Sequence, residues 1–320
     1  MLPAFLNSRR AKLVALVSSD HNKAQYLAGH FKADATYQMK DYAACLANPD
    51  VSAIYIATPQ GAHLDFTVKA AKAGKHVLCE KPLAATFEQA SKMVAACREH
   101  GVLLMTAYRK YFEPSTLHLK KLIRSGVLGR IDVIHTAFSE LYKPGISPAW
   151  LLDRKLAGGG PLMDLGVYCV NTSRWLVDED PVEVSAQSWR HNPSWFKSVE
   201  EGIAFRMNFA SGLVAQGAST YGAAPSSFIN VQGTQGWASL APAFPFDEER
   251  WITGKLKGRW FERRFKVVDE FAPELDAFAG AIQTGRPLQP DGIQGRIDVA
   301  IIRAIYESSK RRKPVSVRYS

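Results

Sequence analysis

The feature that most constrains the fold is an alternation of short apolar segments with helical patterns through the first third of the chain. The apolar segments are rich in β-branched residues, as buried strands are. The segments between them carry helix signals: Asp20 is placed as the N-cap of one helix, and Gly74 ends another. The predicted strands are Lys12–Ser18, Ala53–Ala57, His76–Cys79 and Val102–Thr106, and the predicted helices are His21–Phe31, Ala62–Ala73 and Phe87–His100. Strands that alternate with helices predict an α/β fold with a parallel sheet and right-handed crossovers.

The pattern changes after Tyr108. From Val182 to about Val268 the chain reads as consecutive strands separated by Gly and Pro, which is typical of an antiparallel sheet. Helices are predicted at Pro114–Ser125, Pro161–Val177, Glu274–Gln283 and Gln294–Lys313. We therefore predict a dinucleotide-binding domain over residues 1–107. A second, α+β domain with a mainly antiparallel open sheet and C-terminal helices follows over residues 108–320.

Charge and composition exclude several classes of protein. The chain has 320 residues and a formal net charge of +10, and the excess lies mostly in residues 250–266 and 310–320. No zinc-finger or helix-turn-helix pattern accompanies these stretches, so we interpret them as solvated faces and expect no nucleic-acid partner. No segment approaches the ~20 continuous apolar residues of a membrane span. The N-terminus lacks the ordered regions of a signal peptide, which favours a cytoplasmic protein.

The four cysteines, Cys45, Cys79, Cys97 and Cys169, are scattered and form no CxxC pair. Each lies in an apolar context. The sequence therefore predicts reduced core thiols, with neither a disulfide framework nor a metal site.

Polar clusters follow the predicted parallel strands where those strands end. They are Ser18–Lys23, Thr58–His63, Glu80–Pro82 and Tyr108–Arg109. Ligands of open parallel sheets bind beyond the carboxyl ends of the strands, so we expect these clusters to surround one crevice. A fifth cluster, Gly158–Tyr168, lies in the second domain and places Asp164 and Tyr168 on one helix face.

At these residues the sequence resembles the glucose-fructose oxidoreductase, inositol dehydrogenase and MocA family of NAD(P)-dependent oxidoreductases. The resemblance extends over essentially the whole chain. Its marks are Ala57–Pro59 with His63, Ala73–Pro82, and Gly158–Gly160 with Asp164. Most members have His four residues after that aspartate, and this chain has Tyr168 instead. It is most similar to the glucose-fructose oxidoreductase-like branch, which includes NADP-dependent aldose and xylose dehydrogenase-like enzymes.

The resemblance implies an enzyme that transfers hydride to or from a sugar or polyol. It implies pairing of chains into a homo-oligomer through the second-domain sheet. The catalytic residues that it implies are Lys81, Asp164 and Tyr168. The cofactor-binding residues that it implies are Ser18, Ser19, Lys23, Thr58, Pro59, His63, Glu80, Lys81, Arg109 and Trp150. Family members often carry arginine after that tryptophan, whereas this chain has Leu151.

The residue types fit that chemistry independently. Hydride leaves a carbinol carbon as its hydroxyl loses a proton, so the site needs an acid/base and a positive charge at the oxygen. Lys81 and Tyr168 supply both, because a nearby ammonium stabilises a tyrosinate. Asp164 either bonds a sugar hydroxyl or holds Lys81.

Each residue also has a structural interpretation. Lys81 could extend from a strand end, and Asp164 could complement a helix dipole. Tyr168 could be an amphipathic core residue, and His63 could simply start a helix. The triple glycine alone could be a flexible turn.

The end of the first predicted strand bears on the choice of cofactor. An acidic residue there selects NAD, whereas serine and basic residues accept a 2′-phosphate. Ser18 and Ser19 occupy the strand end, and Lys23 lies one helical turn further on. NADP is therefore favoured over NAD, although Asp20 is close by.

The glycine fingerprint of a dinucleotide fold is absent. Only eleven residues precede Lys12, and they contain neither a strand nor a G-x-G-x-x-G pattern. We therefore expect roughly 20–30 further residues upstream in the working enzyme, enough for that strand and turn. The alternative is a non-catalytic relative that acts as a sugar- or protein-binding module.

Overall fold

The computed structural model describes residues 1–320 and begins with a region of parallel strands and helices. Its elements in chain order are α1 (Ala4–Asn7), β1 (Ala15–Ser18), α2 (His21–Phe31), β2 (Ala35–Gln38), α3 (Tyr42–Ala47), β3 (Ala53–Ile56), α4 (His63–Lys72), β4 (His76–Glu80), α5 (Phe87–Glu99) and β5 (Leu104–Ala107). The predicted helices and strands are confirmed here with shifts of a few residues. β2 and α3 were not expected from the sequence, whereas α1 overlaps the Leu2–Leu6 segment, which resembles the tail of a helix.

A mixed sheet and its covering helices form the rest of the chain. The elements are α6 (Pro114–Arg124), β6 (Ile131–Leu141), α7 (Arg154–Ala157), α8 (Val167–Val177), β7 (Pro181–Trp189), β8 (Gly202–Phe209), β9 (Val214–Thr220), β10 (Gly222–Gly233), β11 (Gly236–Ala241), β12 (Arg250–Leu256), β13 (Arg259–Phe265), α9 (Phe271–Thr284), α10 (Gly292–Arg311) and β14 (Val315–Ser316). The helix predicted from Pro161 to Val177 consists of a π-helical turn, Leu162–Gly166, followed by α8.

The parallel strands form two sheets. β1 pairs with β2, and β3, β4 and β5 pair in that order, but β1 and β3 share no hydrogen bonds. In the Rossmann strand order, the position between them belongs to the strand that precedes the glycine fingerprint. Consistent with the missing pairing, all four residues of β1 are only half-buried, whereas all four residues of β5 are buried. The fold is thus α/β with a divided parallel sheet.

The second region is built on one nine-stranded sheet in the order β13-β12-β11-β10-β6-β9-β8-β7-β14. Only β6 and β9 pair in parallel, so the predicted mainly antiparallel sheet is confirmed. Helices α6, α8 and α10 share a hydrophobic core with one face. Aromatic side chains on the other face, including Phe228 and Trp260, are exposed. One face of the sheet is therefore covered and the other is open.

The two C-terminal helices join the two regions. Val299 and Ala300 of α10 pack with residues of β4, α4 and α5. Leu275 and Phe278 of α9 pack with Leu78 and other residues of β4 and β5. These helices, which the sequence analysis assigned to residues 108–320, thus cover strands of the first region. The domain boundary near residue 107 stays a prediction.

The four cysteines are all buried and none forms a disulfide. No helix combines the length and the apolar character that a membrane crossing requires.

Candidate active site

Lys81 lies directly after β4, where the chain leaves the buried strand. Its Nζ donates to the backbone oxygen of Asp164 at 2.8 Å and to the Oδ1 atom of Asp164 at 3.1 Å. The same Nζ lies 4.9 Å from the centroid of the Tyr168 ring. The structure thus brings together the three residues that the sequence analysis named as catalytic. Asp164 and Tyr168 both face Lys81, although Asp164 belongs to the π-helical turn.

The surroundings of Lys81 favour its charged form. Burial opposes the ammonium, but the carboxylate of Asp164, together with Tyr168 and Glu80, outweighs that effect and raises the pKa of Lys81. Glu80 itself accepts from the backbone N–H of Lys81 at 3.1 Å and from the Tyr55 hydroxyl. Lys81 is therefore a fixed ammonium at the carboxyl end of β4.

Two tyrosines hold the other oxygen of Asp164. The hydroxyls of Tyr142 and Tyr221 donate to Oδ2 at 3.2 and 3.1 Å. Their rings stack with centroids 4.0 Å apart. Burial and the nearby carboxylate raise the pKa of both hydroxyls, so both remain donors. No motif in the sequence predicts this pair, although each tyrosine directly follows one of two neighbouring strands, β6 and β9.

The triple glycine is a packed turn and not a flexible one. Gly158 has a φ of +75°, and a Cβ on Gly160 would lie 2.5 Å from the backbone oxygen of Glu200. The buried Glu200 carboxylate accepts from the N–H groups of Gly160 at 3.2 Å and Leu162 at 3.3 Å, and from the Tyr306 hydroxyl at 2.7 Å. These contacts fix the start of the π-helical turn that carries Asp164. Glu200 was also missed from the sequence.

The cation at the Tyr168 hydroxyl is Arg109. Its Nε donates to the Tyr168 oxygen at 3.2 Å, while Lys81 lies over the ring. The other nitrogens of Arg109 donate to Glu270 Oε1 at 2.6 Å and to the Phe244 carbonyl at 2.7 Å. The expectation that Lys81 supplies the charge next to the hydroxyl is therefore corrected. The buried Arg109 guanidinium faces Tyr168 and the protein interior, which differs from the cofactor contact expected for it.

His63 lies inside the protein. It is 0% exposed, and its two ring nitrogens lie 3.1 Å from the Leu83 carbonyl and 2.9 Å from the Thr58 carbonyl. Burial lowers the pKa of His63. The ring therefore links the loop after β3 to the loop after β4. A direct contact with a cofactor needs exposed ring atoms, which His63 lacks, so that expectation is corrected.

The end of β1 is accessible. Ser19 and Lys23 are exposed, and Ser18 is half-buried. The Asp20 side chain accepts from the backbone N–H of Lys23 at 2.9 Å as the N-cap of α2, as expected from the sequence. Asp20 thus has a structural role that engages one of its carboxylate oxygens.

Trp150 lies further away in the chain, on the loop between β6 and α7. It is half-buried in a short 3-10 turn, Ala149–Leu152. The adjoining α7 approaches the loop after β3, because a Cβ on Gly61 would lie 3.0 Å from the Lys155 carbonyl. The Trp150 loop is therefore next to the segment that contains Thr58 and Pro59.

The loop after β3 fits part of a nicotinamide cofactor. Thr58 Oγ1 and Gln60 Oε1 are buried and have no hydrogen-bond partner within the protein. Buried polar atoms are normally paired, so these two oxygens are available to hydroxyl or amide groups of a ligand. They lie after β3, the strand that pairs with the strand before Lys81.

Family models match both regions of the chain. The model described as "Oxidoreductase family, NAD-binding Rossmann fold" matches residues 1–108, and the "GFO/IDH/MocA C-terminal domain" matches residues 116–239. The chain is 32% identical to a D-xylose 1-dehydrogenase [NADP(+)] of Haloarcula marismortui, over 98% of this chain and 88% of that protein.

Solved structures agree with the assignment. An aldose-aldose oxidoreductase from Caulobacter crescentus, complexed with glycerol, superposes with a TM-score of 0.93 at 32% identity and covers 99% of this chain and 95% of its own. A levoglucosan dehydrogenase in complex with NADH has a TM-score of 0.87 at 22% identity, with 99% and 93% covered, and shares the fold. The predicted resemblance is confirmed. The chain belongs to the GFO/IDH/MocA family of oxidoreductases, which act on CH–OH groups.

Proposed function

We propose that this protein transfers hydride between NADP and a carbinol or carbonyl carbon of a sugar or polyol. The observation that carries the proposal is the cluster of Lys81, Asp164 and Tyr168 at the carboxyl end of β4. Lys81 is held by two contacts of 2.8 and 3.1 Å to Asp164, and Tyr168 carries a hydroxyl already paired with a cation. A site of this composition supplies a positive charge and a proton-transfer group for one oxygen atom.

Each residue has a defined role in the reaction. When bound, the nicotinamide ring supplies or accepts the hydride at the substrate carbon. In oxidation, Tyr168 accepts the proton of the substrate hydroxyl as the C–H bond breaks, and in reduction the same proton returns to the oxygen. Lys81 stabilises the negative charge that develops on that oxygen. Asp164 orients Lys81, since three donors already occupy its carboxylate.

The proposed cofactor is NADP. Ser18, Ser19 and Lys23 place hydroxyls and an ammonium at the end of β1, where a 2′-phosphate lies in this fold. Asp20, the acidic residue that could select NAD, caps α2. The Haloarcula marismortui relative is a NADP(+) enzyme by its name, which supports the same choice. An aldose is the proposed substrate, by analogy with the named xylose and aldose enzymes.

Turnover of NADP+ with a panel of aldoses tests the proposal. The Lys81→Met variant should lower kcat/KM by about 100-fold or more, because it removes the charge at the reacting oxygen. Lys92→Met, an exposed lysine on α5, is the matched control and should behave as the wild type. A Lys81→Met enzyme that keeps its activity would exclude the assigned role.

A second candidate is a binding module without catalysis. The divided parallel sheet favours it, since β1 and β3, whose carboxyl ends flank a bound dinucleotide in this fold, share no hydrogen bonds. Fluorescence titration with NADPH separates the two candidates. Saturable binding supports the enzyme, whereas sugar binding without NADPH binding supports the module.

We also propose that two copies pair through the open face of the nine-stranded sheet. Phe228, Trp251 and Trp260 are exposed there, and aromatic side chains are enriched at protein interfaces. Light scattering of the wild type and of Phe228→Arg measures this pairing. The variant should be monomeric if the face is the interface.

A further inference from the structure

A buried group of charged residues lies behind Tyr168. We call it the Arg109 cluster, and its members are Arg109, Lys110, Glu113, Arg250 and Glu270. Glu270 is its centre, with Arg109 at 2.6 Å, Arg250 at 3.0 Å and Lys110 at 3.3 Å. Glu113 adds contacts of 3.5 Å to Lys110 and 3.8 Å to Arg250. All five side chains are at most 8% exposed.

The Arg109 cluster lacks one negative charge. Its three cations face two carboxylates, so one positive charge has no counterion within the cluster. Glu113 is ionised, because Lys110 and the hydrogen bonds of Ser115 and Thr116 outweigh the effect of burial and lower the pKa of Glu113 to about 2. The nearby Glu274 forms no ion pair with any of the three cations, and burial raises its pKa well above the usual range. Buried charges without partners are strongly disfavoured.

Arg109 is the cation of the cluster that reaches the Tyr168 hydroxyl. Arg109 contacts Glu270 and a backbone carbonyl through its outer nitrogens, and its Nε is aimed at the Tyr168 oxygen at 3.2 Å. The rings of Phe246 and Phe271 lie 5.7 and 5.5 Å from the guanidinium carbon. A phenolate at Tyr168 would complete the charge balance.

We infer that the Arg109 cluster stabilises the phenolate of Tyr168, and that Arg109 and Glu270 are positioning residues that set the protonation state of this tyrosine. The inference deepens the proposed function and rests on it for the role of Tyr168 in turnover. Arg109 supplies the charge and Glu270 fixes its direction. Removing the charge of Arg109 should therefore disfavour the Tyr168 phenolate, and removing the charge of Glu270 should favour it.

The other groups around Tyr168 are few. Lys81 faces the ring at 4.9 Å from the end of β4, and its charge is paired with Asp164. Phe138 of β6 and Phe244 of the β11–β12 loop lie 6.0 and 5.6 Å from the ring, centroid to centroid, and do not ionise.

Two further groups act through Arg109. The Glu80 carboxylate also raises the pKa of Arg109, but its effect is smaller than those of Tyr168 and Glu270. Burial lowers the pKa of Lys110 to about 8, so Lys110 is the other group that can release the surplus proton. Lysine does not absorb near-ultraviolet light, so the loss of a proton from Tyr168 can be distinguished from the loss of a proton from Lys110.

A spectroscopic titration tests the inference without any substrate. The ultraviolet absorbance of tyrosinate is followed against pH in the wild type and in Tyr168→Phe, and the difference gives the ionisation of Tyr168. Arg109→Met should move this ionisation to higher pH by about one unit or more, as loss of an adjacent opposite charge does. Glu270→Gln should move it to lower pH. Arg130→Met removes an exposed arginine at the start of β6 and should leave it unchanged.

The outcomes are distinct. An unchanged midpoint in Arg109→Met, or shifts of the same sign in both variants, overturns the inference. If Arg109→Met does not fold, Arg109→Lys and Glu270→Gln decide, with a small upward shift expected for the first and a downward shift for the second. The pH profile of kcat should follow the same shifts. Shifted titrations in a protein that oxidises no aldose would reject the proposed function and keep the inference.

Discussion

At the scale of single residues, the site combines groups that the sequence identifies with groups that it does not. Lys81 and Asp164 are predictable because short motifs surround them, and Tyr168 follows at helical spacing. Tyr142 and Tyr221 belong to no motif. They reach Asp164 only because β6 and β9 are neighbours in the sheet, which the sequence spacing of 79 residues does not reveal.

The tyrosine pair gives a prediction about Asp164. Each hydroxyl donates a hydrogen bond to a carboxylate, and such bonds are worth about 1.5–3 kcal/mol. The double variant Tyr142→Phe with Tyr221→Phe should lower kcat by about tenfold or more through loss of Lys81 orientation. Each single variant should have a smaller effect, because Oδ2 keeps one donor. Steady-state kinetics measure this loss.

Tyr26→Phe is the matched control for that pair. Tyr26 is 72% exposed and lies on α2, away from Lys81. Its variant should retain wild-type kcat. Equal losses in the single and double variants would contradict this prediction, because the one donor left in each single variant would then give Oδ2 no support.

At the scale of elements, local signals decide what the sequence predicts. Helix α2 has the predicted bounds because Asp20 caps it, whereas β2 and α3 are short and carry no such signal. The basic stretch of residues 250–266 forms the hairpin of β12 and β13, joined at Lys257 and Gly258, which both have positive φ. Most of its charged side chains are solvated as expected, but Arg250 at the start of β12 is buried and paired with Glu270, which the interpretation as a solvated face did not predict.

The glycine turn before the π-helical turn supports a prediction on stability. A Cβ on Gly160 would meet the Glu200 backbone oxygen at 2.5 Å, and backbone cannot move aside as a side chain can. Gly160→Ala should therefore lower the free energy of unfolding by about 1–3 kcal/mol, as overpacking does. It should also displace Asp164 and lower kcat. Urea unfolding and kinetics on the same sample measure both.

Gly29→Ala provides the comparison of opposite sign. Gly29 lies inside α2, and a Cβ added there would have no neighbouring atom within 4 Å. Alanine at this position should raise the free energy of unfolding by about 0.5–1 kcal/mol, because glycine is unfavourable in helix interiors. If Gly160→Ala also stabilised the protein, the packed-turn interpretation would be wrong.

At the scale of the whole molecule, long-range pairing decides what the sequence leaves open. The parallel strands are locally predictable, but their division into two sheets arises because no strand pairs with both β1 and β3. Likewise, α9 and α10 follow the second sheet in sequence and yet cover β4 and β5. The Arg109 cluster spans the same junction, with Glu113 at the start of α6, Arg250 at the start of β12 and Glu270 before α9.

Because it ties these elements together, the cluster should make the stability of the molecule depend on pH. The pKa of Glu113 is lowered from 4.5 to about 2, so its ionised form stabilises the folded state fully above about pH 5 and progressively less as the pH falls toward 2. A shift of this size corresponds to about 3 kcal/mol.

The free energy of unfolding of the wild type should therefore exceed that of Glu113→Gln most at neutral pH, and the excess should shrink in acid. Urea unfolding at about pH 7, 5 and 3.5 measures this excess. The control is Glu99→Gln, at an exposed position of α5, whose free energy of unfolding should differ from that of the wild type by the same amount at all three pH values. An excess that stayed constant with pH would show that the Glu113 carboxylate contributes only its shape and hydrogen bonds, and that its charge does not hold the junction.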